Sequence, residues 1–231
     1  MSVGTRLLGA LIAATLLVGC GNDKAPNPMA LAIGAAAKEG LAKVRGGKSA
    51  AATSPGKAAS PQDLRAELAK AGKPVLLVSS KTLGQTGFLS VSDSKADVLT
   101  WRTPDGVTFS QQGGVLIQTR GLGADLMSAQ APSVRQLLQA GTPYQRIYYF
   151  LGPDDQGTRR TYDCTTSLGG RESIEVLGRS HATTRVTETC TRSAGGGKLT
   201  NEFWIEGSMI RQSRQWVSSG IGFVDFARVI D

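Results

Sequence analysis

Two guanidinium groups, two amides, a hydroxyl and an indole occupy six consecutive positions, Arg211-Gln212-Ser213-Arg214-Gln215-Trp216. On a strand this run sends Arg211, Ser213 and Gln215 to one side and Gln212, Arg214 and Trp216 to the other, so both faces carry polar groups. Arginine forks grip carboxylates, and an indole stacks on a sugar ring. Together with Trp101, Trp204, Tyr144 and Arg120, the run could line a cleft for an acidic glycan. The candidate ligand-binding residues are therefore Trp101, Arg120, Arg211, Arg214 and Trp216. A competing reading makes Trp101, Trp204 and Trp216 core packing and pairs the polar groups across strands.

Catalytic chemistry has less to work with. The single histidine, His181, lies in Arg179-Ser180-His181-Ala182 between two expected strands and reads as a solvated turn residue. Ser-His-Asp schemes and imidazole-rich metal sites would all rest on it. A glycan-cleaving carboxylate pair could draw on Asp105, Asp125 or Glu206, and needs two of them roughly 5 to 9.5 Å apart in a cleft. Gly121-Leu122-Gly123-Ala124-Asp125 lacks the third glycine of a dinucleotide loop, and Gly195-Gly196-Gly197-Lys198 is followed by Leu199 where a phosphate loop needs Ser or Thr. Both read as turns. The expectation is a protein that is not an enzyme, with no catalytic residue, metal or cofactor. The net charge of +8 favours an anionic neighbour such as lipid head groups, acidic polysaccharide or nucleic acid.

The amino terminus narrows that choice. Arg6 precedes an apolar run, Leu7 to Val18, and small residues stand directly before Cys20. As a helix the run spans roughly 18 Å, short of a hydrocarbon core of about 30 Å, so residues 1–19 read as an export signal rather than a membrane span. Leu17-Val18-Gly19-Cys20 resembles the bacterial lipobox, which makes Cys20 the lipidation site; the alternative is an ordinary secretory signal that contains a cysteine. Acyl chains on Cys20 would anchor the chain to a membrane, and Gly21 in place of Asp resembles outer-membrane sorting. An anchored domain facing the periplasm has little access to nucleic acid. Cys164 and Cys190 then remain, in an oxidising compartment, and are expected to form a disulfide. Closing a loop of about 25 residues would stabilise the fold by roughly 3.5 kcal/mol. Two buried free thiols are the alternative, and a zinc site lacks close ligand pairs such as C-x-x-C.

These groups must be held by something. Residues 20–59 carry Cys20 and an Ala, Gly, Lys, Ser and Pro-rich tether, in which Met29 to Val44 fits a weak amphipathic helix or an unpacked spacer. Ser60-Pro61-Gln62-Asp63 predicts a capped helix start, with its stop at Gly72. From Pro74 onward, period-two stretches separated by glycine-containing turns predict about a dozen antiparallel strands. One helix, Pro132 to Ala140, interrupts them, and turns are expected at Thr103-Pro104-Asp105-Gly106, Gln112-Gly113-Gly114, Gly169-Gly170 and Glu206-Gly207-Ser208. The fold class is all-β over residues 60–231: a meander closing into a barrel-like or strongly curved sheet, with a two-sheet sandwich as the alternative.

Three segments carry a family resemblance. They are Val98-Leu99-Thr100-Trp101-Arg102-Thr103-Pro104-Asp105-Gly106-Val107, then Gly114-Val115-Leu116-Ile117-Gln118-Thr119-Arg120-Gly121-Leu122-Gly123-Ala124-Asp125-Leu126-Met127-Ser128, and the stretch from Trp204 through the Arg211 to Trp216 run to Gly220-Ile221-Gly222. In order and spacing they resemble the YjbF/GfcB lipoproteins, encoded with exopolysaccharide and group 4 capsule operons. The Cys164 and Cys190 pair, with Ile174-Glu175-Val176 between them, is similar to that of proteobacterial members. The resemblance implies a lipidated, mostly β domain at the outer membrane that assists polysaccharide production or export. The implied partners are acidic polysaccharide or outer-membrane export proteins, and the resemblance supplies no catalytic residue. Other functional classes would be a periplasmic lipid or acyl-chain carrier, which needs a large apolar cavity, and a polysaccharide-acting enzyme.

Overall fold

The structure is a computed structural model, and it describes residues 60–151 and 157–231. The expected signal segment, Cys20 and the tether fall outside the described residues.

The first element of the described residues is helix α1 (Pro61–Ala69), started as the sequence predicts. The Ser60 hydroxyl accepts from the Asp63 amide at 3.1 Å, and the Asp63 carboxylate accepts from the Ser60 amide at 3.1 Å. Twelve strands follow, with one short helix among them. In chain order they are β1 (Val75–Ser80), β2 (Gln85–Lys95), β3 (Val98–Arg102), β4 (Thr108–Gln112), β5 (Val115–Arg120), β6 (Leu126–Gln130), helix α2 (Val134–Leu137), β7 (Tyr144–Leu151), β8 (Gly157–Val176), β9 (Arg179–Arg192), β10 (Lys198–Glu206), β11 (Met209–Ser218) and β12 (Gly222–Ile230).

All twelve join one sheet, ordered β5-β4-β3-β2-β1-β12-β11-β10-β9-β8-β7-β6. Neighbours are antiparallel, and β1 pairs with β12, so the meander curls into a nearly closed barrel. Trp101, Phe109, Leu116, Tyr148 and Phe226 are buried in its main core, where Phe109 and Phe226 meet edge to face at 5.5 Å. Leu137 of α2 packs on Val115, Phe203 and Ile205 in a second cluster, and Leu68 of α1 packs on Val75, Val176 and Val229 in a third.

Three elements differ from the sequence reading. Helix α2 covers only Val134–Leu137 of the expected Pro132 to Ala140. The residues expected to form two strands around a Gly169-Gly170 turn form one strand of 20 residues, β8. The glycines sit in a bulge, where the register against β9 shifts between Leu168 and Arg171. A Cβ on Gly169 would approach Arg185 Cβ to 3.2 Å, so the glycine answers a close approach rather than a reversal. Strand β6 has no counterpart in the sequence reading; with Ser128 and Gln130 among five residues, it carries too little apolar alternation to announce itself.

The two edge strands, β5 and β6, adjoin without a ladder. Side chains bridge the seam instead. Thr119 Oγ1 accepts from the Leu126 amide at 2.9 Å and donates to Asp125 at 2.8 Å. The Arg120 guanidinium donates to the carbonyls of Leu126 at 3.2 Å and Met127 at 3.3 Å. Arg120→Ala is expected to cost about 1–2 kcal/mol and to speed amide exchange in β6. Urea unfolding and hydrogen exchange would check this, and unchanged exchange in Leu126 to Gln130 would remove the bridging role.

Candidate functional site

The Arg211 to Trp216 run splits along its two faces as strand parity requires. Arg211, Ser213 and Gln215 are buried. Gln215 reaches β5 and the turn before it: Oε1 accepts from the Leu116 amide at 2.8 Å, and Nε2 donates to the Gly114 carbonyl at 2.9 Å. Gly114 turns at φ +91°, and a Cβ there would sit 3.0 Å from Ile210 Cβ, which keeps this turn tight against β11. On the other face Arg214 lies over the Phe223 ring at 5.3 Å. Half-buried Trp216 joins Tyr148 and Phe150 edge to face at 5.3 and 5.7 Å, beside a register shift between Trp216 and Ser218.

At one mouth of the barrel these interior groups become a charged cluster. Arg211 donates to Asp231 at 2.7 and 3.0 Å and to Glu206 at 2.7 Å. Burial works against the Arg211 charge, but its bonds to Asp231 and Glu206 outweigh that and raise its pKa. Glu206 also meets His181 Nδ1 at 3.1 Å, and hydrogen bonds from His181 and Arg211 hold its carboxyl below the usual range. His181 is therefore no solvated turn residue: it is 1% exposed. The β8–β9 hairpin runs on to Val176 and Arg179, which places His181 within a strand opposite Ile174.

Beside this cluster, the Arg228 guanidinium lies over the Trp101 ring at 4.9 Å. Trp101 is fully buried and donates its Nε1 hydrogen to Gln111 at 3.0 Å. Arg228 Nε is buried without a hydrogen-bond partner, and the nearest carboxylate oxygen, on Asp231, is 3.7 Å away. Burial pulls the Arg228 pKa down. A cleft of about 240 Å³ opens over these groups, lined by Asp97, Leu99, Gln111, Gly114, Ser208 and Arg228.

The structure thus brings together Trp101 and Arg211, linked through Arg228 and Asp231, and separates the other three candidates. Arg120 is at the seam, Arg214 covers Phe223, and Trp216 belongs to the aromatic cluster. Trp204 is bonded to Glu172 and lies 5.5 Å from the Arg185 guanidinium. Sequence reasoning missed Arg228 and Asp231. The available signal was parity on β12, where half-buried Arg228 falls two residues after buried Phe226, although the burial alternation itself breaks at Val229.

A second polar group lies deep inside. Glu188 is fully buried and accepts from Arg146 at 2.7 Å, Asn201 at 2.6 Å and the Tyr144 hydroxyl at 2.5 Å. Burial opposes the Arg146 charge, yet the Glu188 carboxylate prevails and raises its pKa. Burial pushes the Tyr148 phenol up to about 12. Cys164 and Cys190, direct partners across β8 and β9, form the expected disulfide beside Glu188. Sulfurs bonded to each other carry no thiolate charge, so this trio is a poor cation site. The three carboxylates weighed for catalysis are engaged locally: Asp105 with the Thr103 hydroxyl, Asp125 with the Gly121 and Leu122 amides, Glu206 with His181 and Arg211.

Fold and site define a class: a small antiparallel barrel filled by its own side chains, with a polar, arginine-bearing cleft at its mouth. The chain belongs to the family described as group 4 capsule polysaccharide lipoprotein gfcB, YjbF, which matches residues 54–229. The barrel is similar to the crystal structure of the hypothetical lipoprotein YmcC from Escherichia coli K12, with a TM-score of 0.65 and 20% identity over 72% of this chain and 88% of that one. No curated protein matches the chain. Among the described residues no helix is long and apolar enough to cross a membrane.

Proposed function

We propose that this protein is a non-enzymatic accessory of capsule or exopolysaccharide production or export that works by binding. Cleavage after residue 19 and acylation of Cys20 anchor it in the outer membrane. A tether over residues 20–59 then carries the barrel, residues 60–231, in the periplasm. The observation behind the binding role is the mouth cleft, where the half-buried Arg228 guanidinium lies over an indole beside hydroxyl and carboxylate groups. Either the acidic polysaccharide or an outer-membrane export protein is its partner. A lipid carrier would need a large apolar lumen, whereas Trp101, Phe109, Tyr148 and Phe203 occupy this one.

The test is genetic. A deletion strain is expected to lose most of its surface polysaccharide, about tenfold or more. The wild-type chain should restore it and Cys20→Ser, released from the membrane, should not. Wild-type polysaccharide levels in the deletion strain would refute the accessory role.

A further inference from the structure

The mouth cleft has the composition of a site for one particular kind of sugar. Arginine has five N–H donors, and a desolvated one without a partner is costly, so a native structure that keeps one calls for a reason. Arg228 Nε is in that position, and the rest of this half-buried side chain reaches the cleft wall. Asp231 relieves it only in part: its Oδ1 stands 3.7 Å from Arg228 Nε, close enough to attract the charge but too far to accept a hydrogen bond. The positive surroundings extend further: Arg65 lies within electrostatic range of Arg211, Asp231 and Arg179. Beneath the guanidinium, Trp101 is itself fixed by Gln111, so the plane of the fork is held in place.

The rim carries the opposite sign. Asp97 lines the same cleft, oriented by a 3.0 Å bond from Gln112 Nε2, and exposed Ser208 stands nearby. A carboxylate on the rim accepts from hydroxyl groups and repels a dense anion. Arginine within and Asp97 at the edge therefore select a ligand with one planar carboxylate and several neutral hydroxyls, and disfavour phosphate.

We propose that the cleft over Trp101 binds the carboxylate of an acidic sugar residue through Arg228, with Asp97 and Ser208 meeting the sugar hydroxyls. This rests on the accessory reading above and names the ligand class of the same site.

The experiment is calorimetric titration of the full chain, purified in mild detergent, with three probes: a short oligogalacturonate, its methyl ester and inorganic phosphate. The expected result is binding of the oligogalacturonate at least tenfold tighter than of either other probe. Arg228→Gln is expected to weaken it at least tenfold. Ser208→Trp, at an exposed turn away from the Trp101 stack, should block the cleft to the same extent, and it serves if Arg228→Gln fails to fold. Absent oligogalacturonate binding, equal binding of the methyl ester, tighter binding of phosphate, or folded variants that bind as wild type would each overturn the site. Failure of the accessory reading shows separately, as normal surface polysaccharide in the deletion strain.

Discussion

Glu188→Ala lowers the unfolding free energy by about 3–5 kcal/mol, the range expected when one partner of a buried ion pair is removed. The side chain is fully buried and holds three groups at once: the Arg146 guanidinium, the Asn201 amide and the Tyr144 hydroxyl. Truncation leaves Arg146 charged and 1% exposed, with Nε already lacking a partner. The Arg146 contact over the Tyr148 ring, at 5.1 Å, replaces only a small part of the lost attraction. A double variant, Glu188→Leu with Arg146→Met, removes both charges and is expected to recover much of the loss, since the pair's mutual attraction mainly offsets its own desolvation. Guanidinium unfolding followed by circular dichroism measures both. A single-variant cost below about 1 kcal/mol would show that water reaches Arg146 and that the interior is wetter than described.

Removing the disulfide with Cys164→Ala and Cys190→Ala costs about 3.5 kcal/mol on the chain-entropy account, because the crosslink closes a sequence separation of 26 residues. For a domain of this size that lowers the melting temperature by about 10 °C. Both cysteines are buried on the two strands of the longest hairpin, β8 and β9, so the loss should appear with little change in native circular dichroism. A shift under 2 °C in differential scanning calorimetry would mean that the reduced, unfolded chain is already constrained. Glu188 and Cys190 lie two residues apart on one face of β9, and the Glu188 carboxylate and the Cys190 sulfur are close in space. The two perturbations share neighbours, so their costs should not add.

Local signals were legible wherever geometry admits few residue types. The Ser60 cap, the Thr103 to Gly106 turn and the Gln112-Gly113-Gly114 turn all stand where residue chemistry puts them. The barrel-like antiparallel sheet and the Cys164–Cys190 bond also followed from alternation and cysteine count. What sequence did not give was distance across the lumen. Parity on β11 correctly grouped Arg211 with Gln215, but it carries no information about which strand lies opposite, and so Arg120 and Trp216 were assigned to one cleft with Arg211. The Gly169-Gly170 pair failed for a related reason. Glycine marks both a reversal and a close approach, and only the approach of β9 distinguishes them. Arg228 was passed over because a lone arginine in an apolar strand reads as an exposed residue.

The β1–β12 pairing also sets the order in which this molecule can assemble. Val75 pairs with Ile230, about 155 residues later in the chain, whereas every other neighbouring pair in the sheet joins consecutive strands. A chain appearing from its amino terminus forms β1 to β5 as a short meander and must keep the free edge of β1 unpaired until the last strand emerges. Long-range closure of this kind is slow, and an open edge invites pairing with another chain meanwhile. Ser79 and Ser80 at the far end of β1, with Lys81 just beyond it, break its apolar run and blunt that edge.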